Sequence, residues 1–494
     1  MPSYKDVVIS GPLTAFGEVE VSENTPEIQL DATQGLKTQQ EVEVFTGTTG
    51  SVTVEDTGTG YEFCCTTGTE VGGYGLVRSQ RAVRYRPGQG VVIRFTARFS
   101  TGIPLSTQRA GGVTLGNELT FGYDGEDFGI LIRNSGKPEI RKLTVTVGAT
   151  GNETAIITLN GIATNVSLTV GNTLHTATEI GATTFAGWNV TVTGSVVTFL
   201  AASVDAKSGT YSMSSDGDAA GTFAQLVSGA SVNDTWIKQT AWNVNRCDGS
   251  GDFAFSLNPT RGNVFEIKMQ YLGYGNIDFF VENPADGHFQ LVHRHQYPNK
   301  FSSPSLTQPE FKIGIFAASL GSTTDISCYA GSFYGANQGK IVHLNNPDGH
   351  ANTQAGVGTS LTNVLSIRVR LEINAIINLR EIIPLIASFA ADGTKNVIVE
   401  LLLNPTITGD PNWTLHEGNA SDSIVEVMTT SVVMSINQGT TIELGTYALG
   451  KTGSEVLDLS SLDIDIKRGD VLSLVAKTVS GTSEITGSLI WKEK

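Results

Sequence analysis

The clearest hydrophobic pattern in the chain lies between Phe265 and His295, in the stretch FEIKMQYLGYGNIDFFVENPADGHFQLVHRH. Apolar residues alternate with polar ones from Phe265 to Met269 and again from Ile277 to Val281, and Gly, Asn and Pro residues separate the alternating runs. A period of two predicts β-strands with one buried face, and the separating residues are those that turns require. The stretch therefore predicts two or three adjoining antiparallel strands.

Similar alternation precedes this stretch and predicts a first β-sandwich. RYRPGQGVVIRFTARF places the turn residues Pro87–Gly90 between two alternating segments, which predicts a hairpin. ELTFGYDGEDFGILI predicts another hairpin around Asp124-Gly125. The pattern is interrupted and then returns, so we expect a split sandwich formed by residues 61–142 and 236–335. Residues 1–60, which are polar and rich in threonine, predict an N-terminal arm or a small sheet.

Residues 143–235 have a different hydrophobic pattern, which predicts a small inserted α+β domain. AIITLNGIATNVSLTV predicts a hairpin that turns at Asn160-Gly161, and GWNVTVTGSVVTFLA predicts a second one at Gly194-Ser195. Between them, the apolar residues of NTLHTATEIGATTF recur at helical spacing. We interpret the segment as a ββαββ unit inserted in a loop of the sandwich.

The C-terminal part of the chain predicts a separate β-domain. Residues 336–362 are rich in Gly, Asn and Thr and predict a linker, whereas residues 363–494 contain strong apolar runs separated by turn signals. Such spacing is typical of a sandwich or jelly roll. NLREIIPLIASFAA has helical character, but Pro384 within it favours a strand or loop. The run Val397–Leu403 is apolar on both faces, which predicts a core on one side and a second subunit on the other.

The fold class that these patterns predict is all-β, with several β-sandwich or jelly-roll domains and one small α+β inserted domain. The chain has 494 residues, of which 39% are hydrophobic, so the predicted domains can each bury a core. The four cysteines have no metal-binding spacing, and we expect them to be small buried hydrophobic residues.

Charge and hydropathy narrow the possible partners. The formal net charge of −16 argues against nucleic acid and against anionic membrane surfaces. No apolar run approaches the roughly 20 residues that a membrane-spanning helix needs. The N-terminal stretch MPSYKDVVISGPLTAFGEVEV has no basic region followed by an apolar segment, so we expect no secretory signal and synthesis in a cytoplasm.

Three segments together, RYRPGQGVVIRFTARF, ELTFGYDGEDFGILI and FEIKMQYLGYGNIDFFVENPADGHFQLVH, resemble virion structural proteins of tailed phages and large DNA viruses. In those proteins a concanavalin-like or laminin-G-like jelly roll is interrupted by a small insert. The segment ITLNGIATNVSLTVGNT resembles modules of phage tail and fibre proteins, and KRGDVLSLVAKTVSGTSEITGSLIWKEK resembles the last strands of a tumour-necrosis-factor-like jelly roll, a fold that is usually trimeric.

The resemblance implies a non-enzymatic virion protein, either a tail-fibre or baseplate component or a capsid-associated one. It implies a homotrimer that assembles in the host cytoplasm with other virion proteins and takes part in host attachment. Two alternatives stay open. The lectin-like sandwich implies a protein that recognises a host-surface glycan as its receptor, and the third hypothesis is an enzyme that degrades polysaccharides.

Sugar binding and sugar cleavage make different demands on the side chains. Binding would use exposed aromatic rings, although aromatic residues in β-proteins mostly lie in the core. The candidates are Tyr271, Tyr274, Tyr297, Trp242 and Trp413. Cleavage would need two carboxyl groups across a cleft. The acidic residues stand instead in predicted turns or on one strand face, where carboxylates are ordinarily solvated, so we expect no enzyme. They are Asp124, Glu126, Asp127, Asp463, Asp465 and Asp470.

Two groups of residues are candidate metal ligands. His293 and His295 are separated by one residue in a predicted strand, so both imidazoles face the same way and could chelate a metal ion; three copies on a trimer axis would supply six nitrogens. The alternative is an ordinary polar strand face. Asp124, Glu126 and Asp127 offer oxygen ligands for calcium, though not at the spacing of an EF-hand loop. We expect no other cofactor.

Overall fold

The computed structural model describes residues 24–38, 41–114, 116–250, 255–339, 346–373, 376–378, 380–392, 395–416, 423–437, 441–450, 452–462 and 464–493. Within them nearly all of the regular secondary structure is β-strand, which confirms the predicted all-β class. None of the described helices is both long and apolar enough to cross a membrane.

Elements are numbered in chain order. The first ten strands are β1 (Asn24–Asp31), β2 (Val42–Gly47), β3 (Ser51–Asp56), β4 (Tyr61–Thr66), β5 (Tyr74–Ser79), β6 (Val83–Arg84), β7 (Val91–Phe99), β8 (Ser106–Val113), β9 (Glu118–Asp124) and β10 (Asp127–Asn134). The next elements are β11 (Ile140–Val147), β12 (Glu153–Leu159), β13 (Ile162–Leu168), α1 (Thr173–Ala182), β14 (Trp188–Thr193), β15 (Val196–Ala201), β16 (Ser212–Ser215) and β17 (Ala220–Val227).

Seven further strands follow: β18 (Asn233–Lys238), β19 (Asn263–Met269), β20 (Ile277–Glu282), β21 (Phe289–His295), β22 (Glu310–Ser319), β23 (Ser327–Ala330) and β24 (Ser332–Gln338). The C-terminal strands are β25 (Asp348–Val357), β26 (Thr362–Val369), β27 (Glu372–Ile373), β28 (Ile376–Ile377), β29 (Ile382–Asp392), β30 (Val397–Leu403), β31 (Thr406–Thr408), β32 (Trp413–Leu415), β33 (Val425–Met428), β34 (Val433–Ser435), β35 (Ile442–Leu449), β36 (Ser454–Asp458), β37 (Val471–Thr478) and β38 (Ser483–Glu493). Short 3₁₀ turns lie at Ala32–Gln34, Gln239–Ala241 and Ser460–Leu462.

The described residues of Met1–Gly136 and Ser231–Val342 form one compact unit, called unit 1 below. It contains two antiparallel sheets. One has the strand order β21-β20-β19-β7-β23-β4-β3, with β24 beside β7 and β1 beside β24. The other has the order β18-β10-β9-β8-β22-β5-β2, with β6 beside β22. The three strands predicted between Phe265 and His295 are β19, β20 and β21, and they pair antiparallel in sequence.

Aromatic rings fill the core between these two sheets. Phe265 of β19 lies 4.6 Å from Phe121 of β9 and 5.5 Å from Phe95 of β7, measured between ring centroids. Phe121 also packs edge-on against Phe279 of β20 at 5.7 Å. Each of these residues occupies an apolar position of an alternating strand, so the period of two explains which side chains enter the core.

Two predictions about unit 1 were wrong. Pro87–Gly90 does not close a hairpin, because β6 pairs with β22 in one sheet whereas β7 pairs with β19 in the other. The loop therefore connects the two sheets. The described part of residues 1–60 is not a separate arm, because β1 pairs with β24 and β2 pairs with β5 inside the sandwich. Residues 1–23 lie outside the described part of the chain.

The described residues of Lys137–Ala230 and His343–Lys494 form the other compact unit, unit 2. Its inserted part has sheets β14-β15-β11-β17 and β13-β12-β16, and α1 packs on them. The hairpins at Asn160-Gly161 and Gly194-Ser195 are present, since Leu159 pairs with Ile162 and Thr193 with Val196. The predicted boundaries, 143–235, cut through β11 and include β18, which pairs with β10 of the sandwich.

The jelly-roll part of unit 2 has one sheet ordered β25-β38-β29-β36 and another ordered β31-β34-β26-β37-β30-β35, with β33 beside β26. Pro384 lies in β29, a strand, as predicted. The predicted linker, residues 336–362, was wrong in part, because β25 lies within it and pairs with β38. Its many small and polar residues occupy an edge strand of that sheet.

The inserted part and the jelly roll of unit 2 are joined by polar contacts. The guanidinium of Arg368 donates to Glu426 at 2.5 Å and to the backbone oxygen of Val192 at 2.8 Å. His175 of α1 lies 2.8 Å from the carboxylate of Asp410. These contacts explain why the inserted segment belongs to the same compact unit as the C-terminal strands.

Candidate functional site

The two predicted metal ligands lie together on β21 at the edge of a sheet of unit 1. The strand register pairs His293 with Phe279 and His295 with Ile277, so both imidazoles project from the core side of the sheet. Burial, and after it the nearby imidazole of His295, lowers the pKa of His293 to about 4, while the charge of Asp278 acts in the opposite direction. Burial also lowers the pKa of His295. Both rings are therefore neutral at pH 7.

The neutral imidazole is the form that binds metal ions, but the described neighbours of this pair do not complete a group of three ligands. Nδ1 of His293 accepts a hydrogen bond from the backbone N–H of Asn243 at 3.4 Å. Across the described part of the chain, no group of three or more His, Cys, Asp or Glu side chains is arranged to hold a metal ion. Metal binding by His293 and His295 stays a prediction that rests on two ligands.

The acidic residues occupy turns. Asp124 pairs with Asp127 at the end of the β9–β10 hairpin, and Asp127 forms an ion pair with Lys238 at 2.6 Å. Asp470 accepts hydrogen bonds from the backbone N–H of Lys467 and from the side chain of Asn404. The carboxylate of Asp470 thus stabilises its turn, whereas that of Asp127 forms an exposed ion pair with the neighbouring strand β18. Asp463 lies outside the described residues.

The aromatic candidates separate into buried and accessible ones. Trp242 and Trp413 are core residues in their respective units. Tyr271, Tyr274 and Tyr297 gather in two loops of unit 1, one between β19 and β20 and one after β21. Of these three, Tyr297 is also buried, whereas Tyr274 is exposed.

A phenylalanine that the sequence did not single out completes this group. Phe301 is 51% exposed and stacks on Tyr297 with ring centroids 4.3 Å apart and planes 17° apart. His295 lies 5.7 Å from Tyr297 and 6.5 Å from Phe301. Tyr274, 41% exposed, lies 6.2 Å from Tyr297. We call these four residues, Tyr274, His295, Tyr297 and Phe301, the aromatic surface.

Tyrosine hydroxyl groups hold the loops of the aromatic surface in place. The hydroxyl of Tyr297 donates to the backbone oxygen of Ser303 at 2.7 Å, and that of Tyr274 donates to Ser302 at 3.2 Å. Beneath them, the hydroxyl of Tyr271 donates to the backbone oxygen of Leu306 at 2.6 Å. The bonds of Tyr271 and Tyr274 thus tie the two loops together, whereas that of Tyr297 closes its own loop. The ring of Tyr274 is exposed and that of Tyr297 is buried.

The backbone of both loops includes residues in the left-handed region. Leu272 has a φ of 37° and Asn299 a φ of 59°. Such conformations cost free energy for a non-glycine residue, especially for leucine, and persist only where surrounding contacts enforce them. The hydroxyl of Tyr85 accepts the N–H of Leu272 at 3.1 Å and supplies one of those contacts.

The aromatic surface exposes the rings of Phe301 and Tyr274, which are 51% and 41% exposed, as apolar area for packing. Its rings are preordered by stacking and hydrogen bonds, so little side-chain entropy is lost on binding. Lys300, the neighbour of Phe301 in sequence, donates to the side-chain oxygen of Gln296 at 3.0 Å. Sequence reasoning missed Phe301 because it lies in the loop PNKFSSPS, outside any alternating run. An isolated aromatic residue in a polar loop was the available signal.

Comparisons with known proteins leave the family open. No family model matches the chain, and no curated protein matches it. Among solved structures, the carbohydrate recognition domain of Emp47p matches 65% of this chain and 99% of its own, at 9% identity and a TM-score of 0.26. The binding domain of botulinum neurotoxin serotype C1 matches 92% and 94%, at 7% identity and a TM-score of 0.25.

A triple jelly roll from an archaeal virus matches 91% of this chain and 90% of its own, at 8% identity and a TM-score of 0.19. TM-scores this low do not carry a function from those proteins to this one. The resemblance of the sequence to tailed-phage virion proteins therefore stays a prediction, and the function has to be argued from the side chains.

Proposed function

We propose that the protein binds carbohydrate through the aromatic surface and acts as a recognition module. The observation that carries the proposal is Phe301, a half-exposed ring fixed by stacking on Tyr297 at 4.3 Å. A pyranose ring presents C–H groups on one face and hydroxyl groups around its edge. An exposed, immobilised aromatic ring packs well against that face while water and loop polar groups meet the hydroxyls.

Charge favours a neutral sugar over an acidic one. The chain has a formal net charge of −16, and the one lysine of the loop, Lys300, already donates to Gln296. An anionic ligand would meet a repulsive long-range field, which slows association. Neutral hexoses and N-acetylhexosamines do not meet that barrier.

The test is the loss of glycan binding in Phe301→Ala. A phenylalanine side chain has roughly 200 Å² of surface, of which about half is exposed here. A sugar ring would cover about half of this exposed part. Removing roughly 50 Å² of apolar contact at ~25 cal/mol per Å² costs about 1.2 kcal/mol. We therefore expect close to a tenfold rise in the Kd of a glycan selected on an array.

Phe45→Ala is the matched control, because Phe45 is 42% exposed and lies on β2, the edge strand of the other sheet of unit 1. This variant should bind with unchanged affinity. Equal losses in the two variants, or no loss in Phe301→Ala, would refute the proposal. An array on which the full-length protein binds no glycan would refute it more directly.

We also propose, as a second candidate, the non-enzymatic role of an oligomeric virion component located in the particle. Its support is the sequence resemblance, together with β36, an edge strand of the jelly roll that leaves Val456 exposed. An exposed edge strand offers a site for pairing with a neighbouring copy. Light scattering of the full chain tests it: a trimer is expected, and a monomer at all concentrations would contradict it. The two candidates are compatible, since glycan binding would serve host attachment.

A further inference from the structure

One edge strand of the jelly roll in unit 2 has a polar inward face. The sheet order β25-β38-β29-β36 leaves β25 at the edge, with β38 beside it. Along β25, half-buried residues alternate with exposed ones. The half-buried ones share a face with core residues of β38, because Asp348 pairs with Trp491 and His350 with Leu489. The first four positions of β25 that face the core are therefore polar, namely Asp348, His350, Asn352 and Gln354.

Polar contacts hold this inward face. Nε2 of the buried His416 lies 3.0 Å from Oδ1 of Asp348. The ring of His350 meets that of His416 edge-on, with centroids 5.5 Å apart. The side-chain NH₂ of Asn352 donates to the backbone oxygen of Val364 at 2.7 Å. Because a hydrogen bond formed on folding replaces one to water, these contacts retain the strand less firmly than buried apolar side chains would.

The apolar anchor of β25 is Val357, at its last position, which is 1% exposed. Gly356, with a φ of 69°, and Gly358 flank this anchor, and at both glycines no atom lies within 4 Å of the place where a Cβ would stand. Residues 358–361 connect β25 to β26 in the other sheet, and the N–H of Thr478 bonds the oxygen of Gly358 at 2.7 Å. Glycines on either side of the anchor give the backbone the freedom to take another course there.

Release of β25 would bare the edge of β38. Trp491 and Leu489, which are 0% and 1% exposed, would lose their neighbours on that side. An unpaired strand edge is a template for another strand. The occupant that restores every lost contact is the β25 of a second copy, since it has the same sequence and register. In addition, β25 is the first strand after the chain passes from unit 1 to unit 2, so its exchange leaves the strand pairs of unit 1 unbroken.

We propose that copies of this protein exchange β25, so that the strand of one copy pairs with β38 of the next. The inference rests on the second candidate function, the oligomeric virion component, and names the contact through which the copies associate. Exchange in one direction around a ring closes when the last copy gives its strand to the first. In a closed ring of three, each β38 has a β25 beside it. The aromatic surface of unit 1 takes no part in this contact.

The experiment traps the strand pair as a disulfide in the full chain. Thr353 of β25 and Thr486 of β38 are opposite each other, and their hydroxyl oxygens lie 2.9 Å apart on the exposed side of the sheet. In Thr353→Cys/Thr486→Cys the two thiols therefore meet within a copy that keeps its strand, and between two copies that exchange it. The variant is concentrated under reducing conditions, diluted, oxidised and analysed on a non-reducing gel. The native cysteines are all buried and do not compete.

Thr154→Cys/Ser167→Cys is the matched control. These two residues pair in the β12–β13 hairpin, whose strands are joined by the tight turn at Asn160-Gly161. A strand of such a hairpin cannot move to another copy without its partner, so the disulfide should form within one chain at every protein concentration. Ala351→Cys/Ser488→Cys, a second pair in the β25–β38 ladder, repeats the test at another position.

We expect chains linked to one another in the β25–β38 variants after concentration, and single chains when the protein is kept dilute throughout. Single chains in both samples, with the introduced thiols consumed, would overturn the exchange, and so would linked chains of equal abundance in the control. Light scattering of the parent protein separates the exchange from the oligomeric role. A trimer whose disulfides lie within single chains overturns the exchange alone, whereas a monomer at all concentrations overturns both. Circular dichroism verifies the fold of each variant.

Discussion

Acid should destabilise unit 1 through His293, and the effect is large enough to measure. His293 is only 6% exposed, and its ring centroid lies 6.3 Å from that of Phe279. Its Nδ1 accepts the N–H of Asn243, a contact that requires the neutral ring. Burial, and secondarily His295, lowers the pKa of His293 from 6.5 to about 4, so the folded state resists protonation.

The sign and size follow from linkage. Because the pKa is depressed in the folded state, the unfolded chain binds the proton first, and stability is lost as the pH falls from about 6.5 towards about 4. Each pKa unit is worth ~1.36 kcal/mol. Between pH 7.5 and pH 5 the loss from this residue is roughly 2 kcal/mol, and it reaches roughly 3 kcal/mol below pH 4.

The assay compares urea unfolding of the parent protein and His293→Gln at pH 7.5, 6 and 5. The informative quantity is the difference in pH dependence, because the substitution also changes absolute stability at a buried position. The parent should lose roughly 2 kcal/mol more than the variant on going to pH 5. His288→Gln, which removes an imidazole from a side chain that is 80% exposed, is the control and should follow the parent. NMR of the protein with ¹³C-labelled histidine gives the pKa directly.

Parallel pH profiles for the parent and His293→Gln, or a titration of His293 near 6.5, would refute the reasoning. Either result would mean that the imidazole is hydrated in the folded protein. The same NMR experiment bears on metal binding, since Zn²⁺ bound at neutral pH would shift the resonances of both His293 and His295 on addition of the ion.

Two further predictions concern the cores. Trp413→Ala should lower the free energy of unfolding of unit 2 by about 3–5 kcal/mol, because Trp413 is buried against Leu402 and Arg368 lies 4.4 Å above its ring. Denaturant unfolding measures this loss, and the control Val456→Ala should change the free energy by less than about 0.5 kcal/mol; similar effects of the two variants would contradict the packing. No thiol should react with Ellman's reagent at pH 8 in the native protein, and all should react in guanidinium. The reason is that the cysteines are buried and that burial raises the pKa of Cys64 and Cys247 to about 12. Rapid labelling of the native protein would show instead that the core is open to the reagent. The four are Cys64, Cys65, Cys247 and Cys328.

Local pattern was sufficient to predict strands and tight hairpins. The β12–β13 turn at Asn160-Gly161 was predictable because both residues adopt positive φ there, 51° and 83°, which asparagine and glycine tolerate. Pro384 was read correctly as excluding a helix, because proline lacks the N–H that a helix interior requires. The hairpin predicted at Pro87–Gly90 was wrong because turn residues indicate that the chain changes direction there. They do not indicate which strand pairs with the next one.

The candidate site was only partly predictable. Tyr274 was among the sequence candidates and is exposed, but Tyr297, Trp242 and Trp413 were candidates as well and are buried. Composition cannot separate them, because the residue type alone does not say which aromatic side chains are the exposed minority. Phe301 became recognisable only through its stacking on Tyr297, a contact set by the loop that the tyrosine hydroxyls hold.

By itself, the sequence determined the all-β class, the short turns and the face that each strand buries, because these depend on neighbouring residues and a period of two. Tertiary structure decided which strands pair and what covers each face. Val397–Leu403 shows the difference. A second subunit was predicted to cover its second apolar face, but Leu402 packs against Trp413, Met428 and Met434 of the same chain. The aromatic surface arises in the same way, from contacts between two loops that no local pattern records.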